Sequence, residues 1–181
     1  MHRQDLINKL TNYSPEYQEE VEFRASFLTF VKANEACFER SLAEGHVTGS
    51  AWILNKERTH TLLMHHAKLN RWLQLGGHAD GDSDVETVAM KEAEEESGLK
   101  HISFINHNVF DIDIHLIPAR KQDPDHYHYD VRFQFEADMN EPLEINSESN
   151  DLQWVPLDKI KDFTDERSIL RMVEKTLSAQ Q

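Results

Sequence analysis

The chain has 181 residues, 39% apolar and 29% charged, with only six Gly and five Pro, which fits one soluble globular domain and excludes fibrous and disordered classes. Its formal charge of −14 opposes nucleic-acid phosphate and anionic membrane surfaces, so a polyanionic partner needs an intermediary cation. Cys37 is the only cysteine, which leaves no intrachain disulfide or CxxC pattern, and no apolar stretch approaches the roughly 18 residues of a membrane span, so the expected location is the cytoplasm.

Helical spacing opens the chain, with Leu6, Ile7 and Leu10 in residues 3–13 and Tyr17, Val21, Leu28 and Val31 in residues 15–34. Pro15 separates the two at a favoured first-turn position. After Gly45 the pattern changes to short β-rich runs, "VTGSAWIL", "TLLMHH", "ISFINHNVFDIDIHLI", "YHYDVRFQFEA" and "DLQWVPL", interrupted by an acidic helix. Ile169, Leu170, Val173 and Leu177 then predict a closing amphipathic helix.

The acidic helix carries five glutamates between Glu86 and Glu96. Val85, Val88, Ala89 and Ala93 mark its buried stripe, Asp82, Ser83 and Asp84 offer N-caps, and Gly98 suits the C-terminal stop. At about 100° per residue, Glu92, Glu95 and Glu96 fall inside or beside the apolar arc, whereas Glu86 and Glu94 point away. Like charges at that spacing repel by roughly 0.2–0.5 kcal/mol per exposed pair, and partial burial adds a larger desolvation cost. Lys or Arg partners could relieve this, but three convergent oxygen ligands beside a glycine-rich turn describe a site for Mg²⁺ or Mn²⁺, a metal that usually also holds substrate phosphates.

Residues Gly77 to Leu99 resemble the box of the Nudix hydrolases. Gly77, Glu92, Ala93, Glu95, Glu96, Gly98 and Leu99 match its register, while Ser83 stands at the position of the box's first Glu and Lys91 at that of its Arg. In the family those two side chains brace the loop against the helix; here Lys91 could reach Asp82 or Asp84 instead. "KLNRWLQLGG" before the box and "ESNDLQWVPLDKI" after it are similar to their counterparts in the family, so the resemblance covers roughly residues 46–175.

The resemblance implies an α+β fold, a Nudix-like α/β/α sandwich around a mixed β-sheet, with residues 1–44 as a helical extension and 45–181 as the catalytic domain. It implies that Glu92, Glu95 and Glu96, with the backbone of Gly77, hold Mg²⁺ or Mn²⁺. Catalytic candidates are Glu92, Glu95 and Glu148, the last in a segment where some members carry a catalytic glutamate on a loop facing the box; box glutamates and Glu148 compete as general base.

The implied activity is hydrolysis of a diphosphate linkage in a nucleoside diphosphate joined to another moiety, with ADP-ribose, nucleotide sugars, dinucleoside polyphosphates and oxidised nucleotides all open. The alternative is a Nudix-like nucleotide sensor without turnover; a Nudix-fold isomerase is disfavoured because Cys37 precedes the catalytic core. No nucleic-acid or membrane partner is expected, and the N-terminal helices are candidates for a homodimer contact or a cover over the cleft.

Two further polar runs stand out. Asp111, Asp113 and His115 alternate with apolar residues, as do His126, His128, Asp130 and Arg132, so if these strands pair across "PARKQDPD" their polar faces form one wall. Either an ordinary solvated sheet face or a substrate wall fits that pattern, and His115, His128 and Arg132, with Trp72, are the substrate-binding candidates. The HxH pair lacks a third ligand at defined spacing, which makes it a weak zinc signal.

Overall fold

The computed structural model describes residues 2–119 and 124–180. Helices α1 (Gln4–Asn12) and α2 (Gln18–Ala33) precede strands β1 (Gly45–Leu54), β2 (His60–His66), β3 (Arg71–Leu73) and β4 (Leu75–His78). Helix α3 (Val85–Ser97) is followed by β5 (Ser103–Phe104), β6 (Asp111–Ile117), β7 (His126–Glu136), β8 (Ser149–Pro156), a 3₁₀ turn at Leu157–Asp162 and α4 (Arg167–Ser178). The strands hydrogen-bond in the order β3-β2-β1-β7-β5, with β4 on β1, β6 on β7 and β8 on β2. This is the expected class, a mixed β-sheet with helices and a helical N-terminus. Among the described residues no helix is long and apolar enough to cross a membrane.

The chain divides into two compact units, each assembled from three separated segments. The first comprises Met1–Ser50, Gly77–Ala89 and His107–Phe133; the second Ala51–Gly76, Met90–Asn106 and Gln134–Gln181.

In the first unit, α1 and α2, expected as an extension, pack as a hairpin whose ends are cross-capped. The last four carbonyls of a helix have no partner within it. Arg3 donates to Val31 O (2.8 Å) and Lys32 O (3.0 Å) at the end of α2, and Arg24 donates to Leu10 O (2.9 Å) and Thr11 O (2.7 Å) at the end of α1. α2 begins three residues after Pro15, where Glu20 accepts from the backbone N–H groups of Glu16 and Tyr17. Its buried face is Phe27, Phe30 and Val31, and Val21, expected on that stripe, is 49% exposed. The shift in phase arises because Phe30 stacks on Tyr129 of β7 at 3.8 Å and 4°, with Phe27 tilted against the same ring. Two aromatic contacts outweigh one valine in setting helix rotation.

β6 and β7 pair antiparallel with Asp111↔Arg132, Asp113↔Asp130 and His115↔His128 in register, so the polar faces do form one wall. Residues 120–123 of the expected connection lie outside the described residues. The wall differs from a solvated face in being buried: Asp111, Asp130 and Arg132 are at 0%, 1% and 2% exposure. Arg132 donates to Asp130 (2.7 Å) and Asp111 (3.1 Å) and lies 3.6 Å from Asp113, while the Thr48 and Ser50 hydroxyls of β1 both donate to Asp130 at 2.8 Å. Gly49, between those two, lies under the first turn of α3; a Cβ there would meet Val85 O at 2.8 Å.

In the second unit β2 is central, pairing with β8 along its length and with β3 at its end. Trp52 is fully buried and donates to the Thr176 hydroxyl of α4 at 3.0 Å. α4 buries Ile169, Met172 and Val173, whereas Leu177, expected on the same stripe, is 42% exposed.

Removing one member of a buried ion network leaves uncompensated charge, which costs about 3–5 kcal/mol. Arg132→Met, close in volume, should therefore lower the urea-unfolding free energy by that amount; a loss within experimental error would show that the aspartates do not need the guanidinium.

Candidate active site

The chain enters the acidic helix through β4 and a turn at residues 79–84. Asp84 caps α3, accepting from the Thr87 N–H (3.2 Å) and hydroxyl (2.8 Å), and Asp82 accepts from the Asp84 N–H at 2.9 Å. Lys91 lies 3.8 Å from Glu95, one turn further along the helix, in an exposed ion pair of small energetic value. The turn is held from the N-terminal segment instead. Arg40 forms a two-pronged pair with Asp80, and the Gly81 N–H donates to Phe38 O at 3.0 Å.

Glu86, expected to point away, is covered on that side by α1 and pairs with Lys9 at 2.6 Å and His107 at 2.9 Å. The far end of α3 stops at Gly98, whose φ of +74° is costly for any other residue and where a Cβ would sit 2.5 Å from the Glu144 Cβ.

Four of the helix glutamates fall in the second unit, in graded environments: Glu94 and Glu95 exposed, Glu92 half-buried and Glu96 at 3% exposure. The Glu96 carboxylate accepts from the Gly76 N–H at 2.8 Å. Burial pushes its pKa up to about 8; the Gly76 hydrogen bond opposes that shift, and the charges of Glu92, Glu148 and Glu95 add to it. Three carboxylates, two from α3 and one from the loop before β8, thus act on the buried Glu96.

The loop that carries Glu148 is tied at three places. Glu148 O accepts from the Ala67 N–H (2.8 Å), its N–H donates to the Asn146 side chain (2.8 Å), and Asn146 Nδ2 donates to Glu95 O (3.3 Å). Trp72, in the same unit, packs edge-on between His65 and Phe163, each centroid 5.2 Å away.

Of the residues singled out in the sequence, Glu92, Glu95, Glu96, Glu148 and Trp72 share this unit, while Gly77, His115, His128 and Arg132 belong to the other. Arg132 is committed to its three aspartates rather than turned outward. Gly76 and Asn146 escaped the sequence reading: a backbone N–H leaves no residue-type signal, and Asn146 is one polar residue within a polar run. Cys37 is buried, and burial pushes its thiol up to about 11, which removes it as a nucleophile.

Because the folded pKa of Glu96 lies above the ordinary 4.5, this group favours the fold most below pH 4.5 and loses that contribution as pH rises toward 8. With divalent cations chelated, Glu96→Gln should gain stability relative to the parent chain between about pH 5 and pH 8, on the order of a few kcal/mol. Urea melts at both ends of that window test this, and a gap independent of pH would mean that the carboxyl is solvated.

The model of the NUDIX domain family matches residues 45–175. No curated protein sequence matches the chain. Among solved structures, an Ap4A hydrolase from C. elegans in a binary complex is similar at 14% identity and a TM-score of 0.59, covering 74% of this chain and 96% of that one. A NUDIX-family hydrolase from Clostridium perfringens is similar at 22% identity and a TM-score of 0.53, covering 74% and 97%. The NUDIX domain of Shewanella oneidensis NrtR, complexed with ADP ribose, covers 96% of this chain and 97% of its own at 16% identity and a TM-score of 0.51. These likenesses show a shared fold, and the family match, which spans most of the chain, shows that it belongs to the Nudix family.

Proposed function

We propose that the chain is a divalent-metal-dependent hydrolase that cleaves the diphosphate linkage of a nucleoside diphosphate joined to another moiety. The observation that carries this reading is the buried Glu96 carboxylate with three further carboxylates acting on it. Like charges brought together in this way are costly without a cation, and an all-oxygen donor set suits Mg²⁺ or Mn²⁺. Glu92, Glu95 and Glu96 are the residues that would hold it. When bound, the ion supplies neutralisation of phosphate oxygens and a more acidic water. This resolves the charge conflict, since a chain of net charge −14 otherwise repels a diphosphate.

The chain's own groups take the remaining roles. The Gly76 N–H fixes the orientation of the Glu96 carboxylate. Glu148 is the candidate general base: the water oxygen adds to one phosphorus, the bond from that phosphorus to the bridging oxygen breaks, and Glu148 accepts the water proton. Asn146 holds the loop of Glu148 to the end of α3, which positions the base without touching substrate. The half-buried face of Trp72 offers a surface on which a base can stack. Hydrolysis of Ap4A by one structural neighbour and the ADP ribose bound to another support a substrate of this class.

Incubation with ADP-ribose, nucleotide sugars, dinucleoside polyphosphates and oxidised nucleotides in the presence of Mg²⁺ should release phosphomonoesters from at least one of them. Binding without release would favour the sensor reading. Glu95→Gln should nearly abolish turnover while leaving the fold intact, and normal turnover would overturn the metal-holding role.

Glu148→Gln should lower kcat by roughly 10²-fold or more with little change in Mg²⁺ affinity, the scale of a lost general base. A kcat within a few-fold of the parent chain would assign the base to the box glutamates.

A further inference from the structure

Five histidines of the first unit, His46, His78, His115, His126 and His128, lie within ring-contact distance of one another, and the proposed hydrolysis uses none of them. Three of the five form a closed set. His46 at the start of β1, His78 at the end of β4 and His128 in β7 are far apart in sequence, yet one nitrogen from each falls within 4.8 Å of the other two. Among the described residues this is the one group of three or more ligand-type side chains gathered so closely.

The geometry points to a second metal site, in which His46, His78 and His128 bind Zn²⁺ through three imidazole nitrogens and leave the fourth tetrahedral position to water.

Ring geometry is the first support. Around a tetrahedral Zn²⁺, with Zn–N near 2.0–2.1 Å and the ring centre about 1.1 Å beyond the nitrogen, imidazole centroids are about 5.2 Å apart. The three observed separations are 5.0, 4.8 and 5.0 Å, nearly equilateral. The rings are inclined to one another at 50°, 53° and 89°, and the nitrogens that approach within 4.8 Å come one from each ring.

The second support is what the nitrogens lack. His46 is 3% exposed, and neither of its ring nitrogens has a hydrogen-bond partner among the described residues; His128 Nε2 is likewise buried without one. An imidazole buried only as packing still bonds its N–H group, because leaving it unpaired forfeits its hydration. A metal ion takes the lone pair of one nitrogen and so accounts for part of this deficit.

The surroundings fit as well. His115 lies beside His128 at 5.4 Å and is paired through Nδ1 with Asp113 at 3.2 Å, on the same wall that Arg132 anchors. His78 and His128 are half-buried, less enclosed than His46. An all-nitrogen set prefers a borderline cation such as Zn²⁺, whereas the all-oxygen set of the box prefers Mg²⁺, so the two sites select different ions.

The test uses the full chain, stripped with chelator and titrated with Zn²⁺ against a chromophoric competitor, with Co²⁺ absorption as the reporter of coordination. A Glu95→Gln/Glu96→Gln chain should still bind one equivalent of Zn²⁺, and its Co²⁺ form should show the intense visible bands of a four-coordinate site. His78→Asn should weaken Zn²⁺ at least about 100-fold, and His46→Gln should do the same. Circular dichroism of each variant establishes that it is folded, and the Co²⁺ spectrum of the parent chain reads the site without any substitution. Absence of a four-coordinate spectrum in the parent chain, or Zn²⁺ binding lost in the glutamate variant but retained in both histidine variants, would overturn the site. Neither result bears on whether the box hydrolyses a diphosphate.

Discussion

A guanidinium at 2% exposure is tolerable only where carboxylates surround it, and Arg132 has three. Burial works against its charge, and Asp130, Asp113 and Asp111 outweigh that, so the group is held protonated more firmly than usual. The two carboxylates from β6 and the one from β7 are tied at one point, and the Thr48 and Ser50 hydroxyls bring β1 to the same cluster. Because strand side chains alternate, placing this network on one face puts Tyr129 on the other, where it receives Phe27 and Phe30 of α2. The docking of the N-terminal hairpin and the position of the histidine wall are thus two consequences of one register.

The acidic helix solves a different problem. Its stripe of Val85, Val88, Ala89 and Ala93 must be buried, and the phase of a 3.6-residue turn carries Glu96 in with it. One backbone N–H, that of Gly76, is the donor that meets the buried carboxylate, while the neighbouring glutamates raise its proton affinity further. A hydrophobic helix face and a cation-hungry cluster are therefore inseparable in this sequence. The ends of α3 are kept in place by contacts apart from Glu92, Glu95 and Glu96: Asp84 and Thr87 at the start, Gly98 against Glu144 at the stop, and Lys9 on Glu86 at the first turn.

Donor chemistry separates the two sites. Carboxylate oxygens on the helix would gain most from a hard ion that phosphate also binds. Imidazole nitrogens on the sheet would gain most from a softer ion held by lone pairs. The chain's large negative charge would raise the cation concentration near the first proposed site.

Periodicity and local chemistry were legible in the sequence because they depend on neighbours a few residues apart. The α3 stripe, the Asp84 cap, the Gly98 stop, the box register and the alternating faces of β6 and β7 all follow from spacings of two to four residues. What required the tertiary structure was every property set by a distant partner. The rotation of α2 was decided by Tyr129, more than ninety residues away. Arg132 looked like a residue of an open wall until three aspartates enclosed it. His46 and His78 carried no signal alone, since a lone histidine in a strand is unremarkable; only the pairing of β1 with β4 and β7 brings them to His128. A single chain records which residues are present and at what local spacing, whereas convergence of ligands is a property of long-range pairing, which local spacing does not encode.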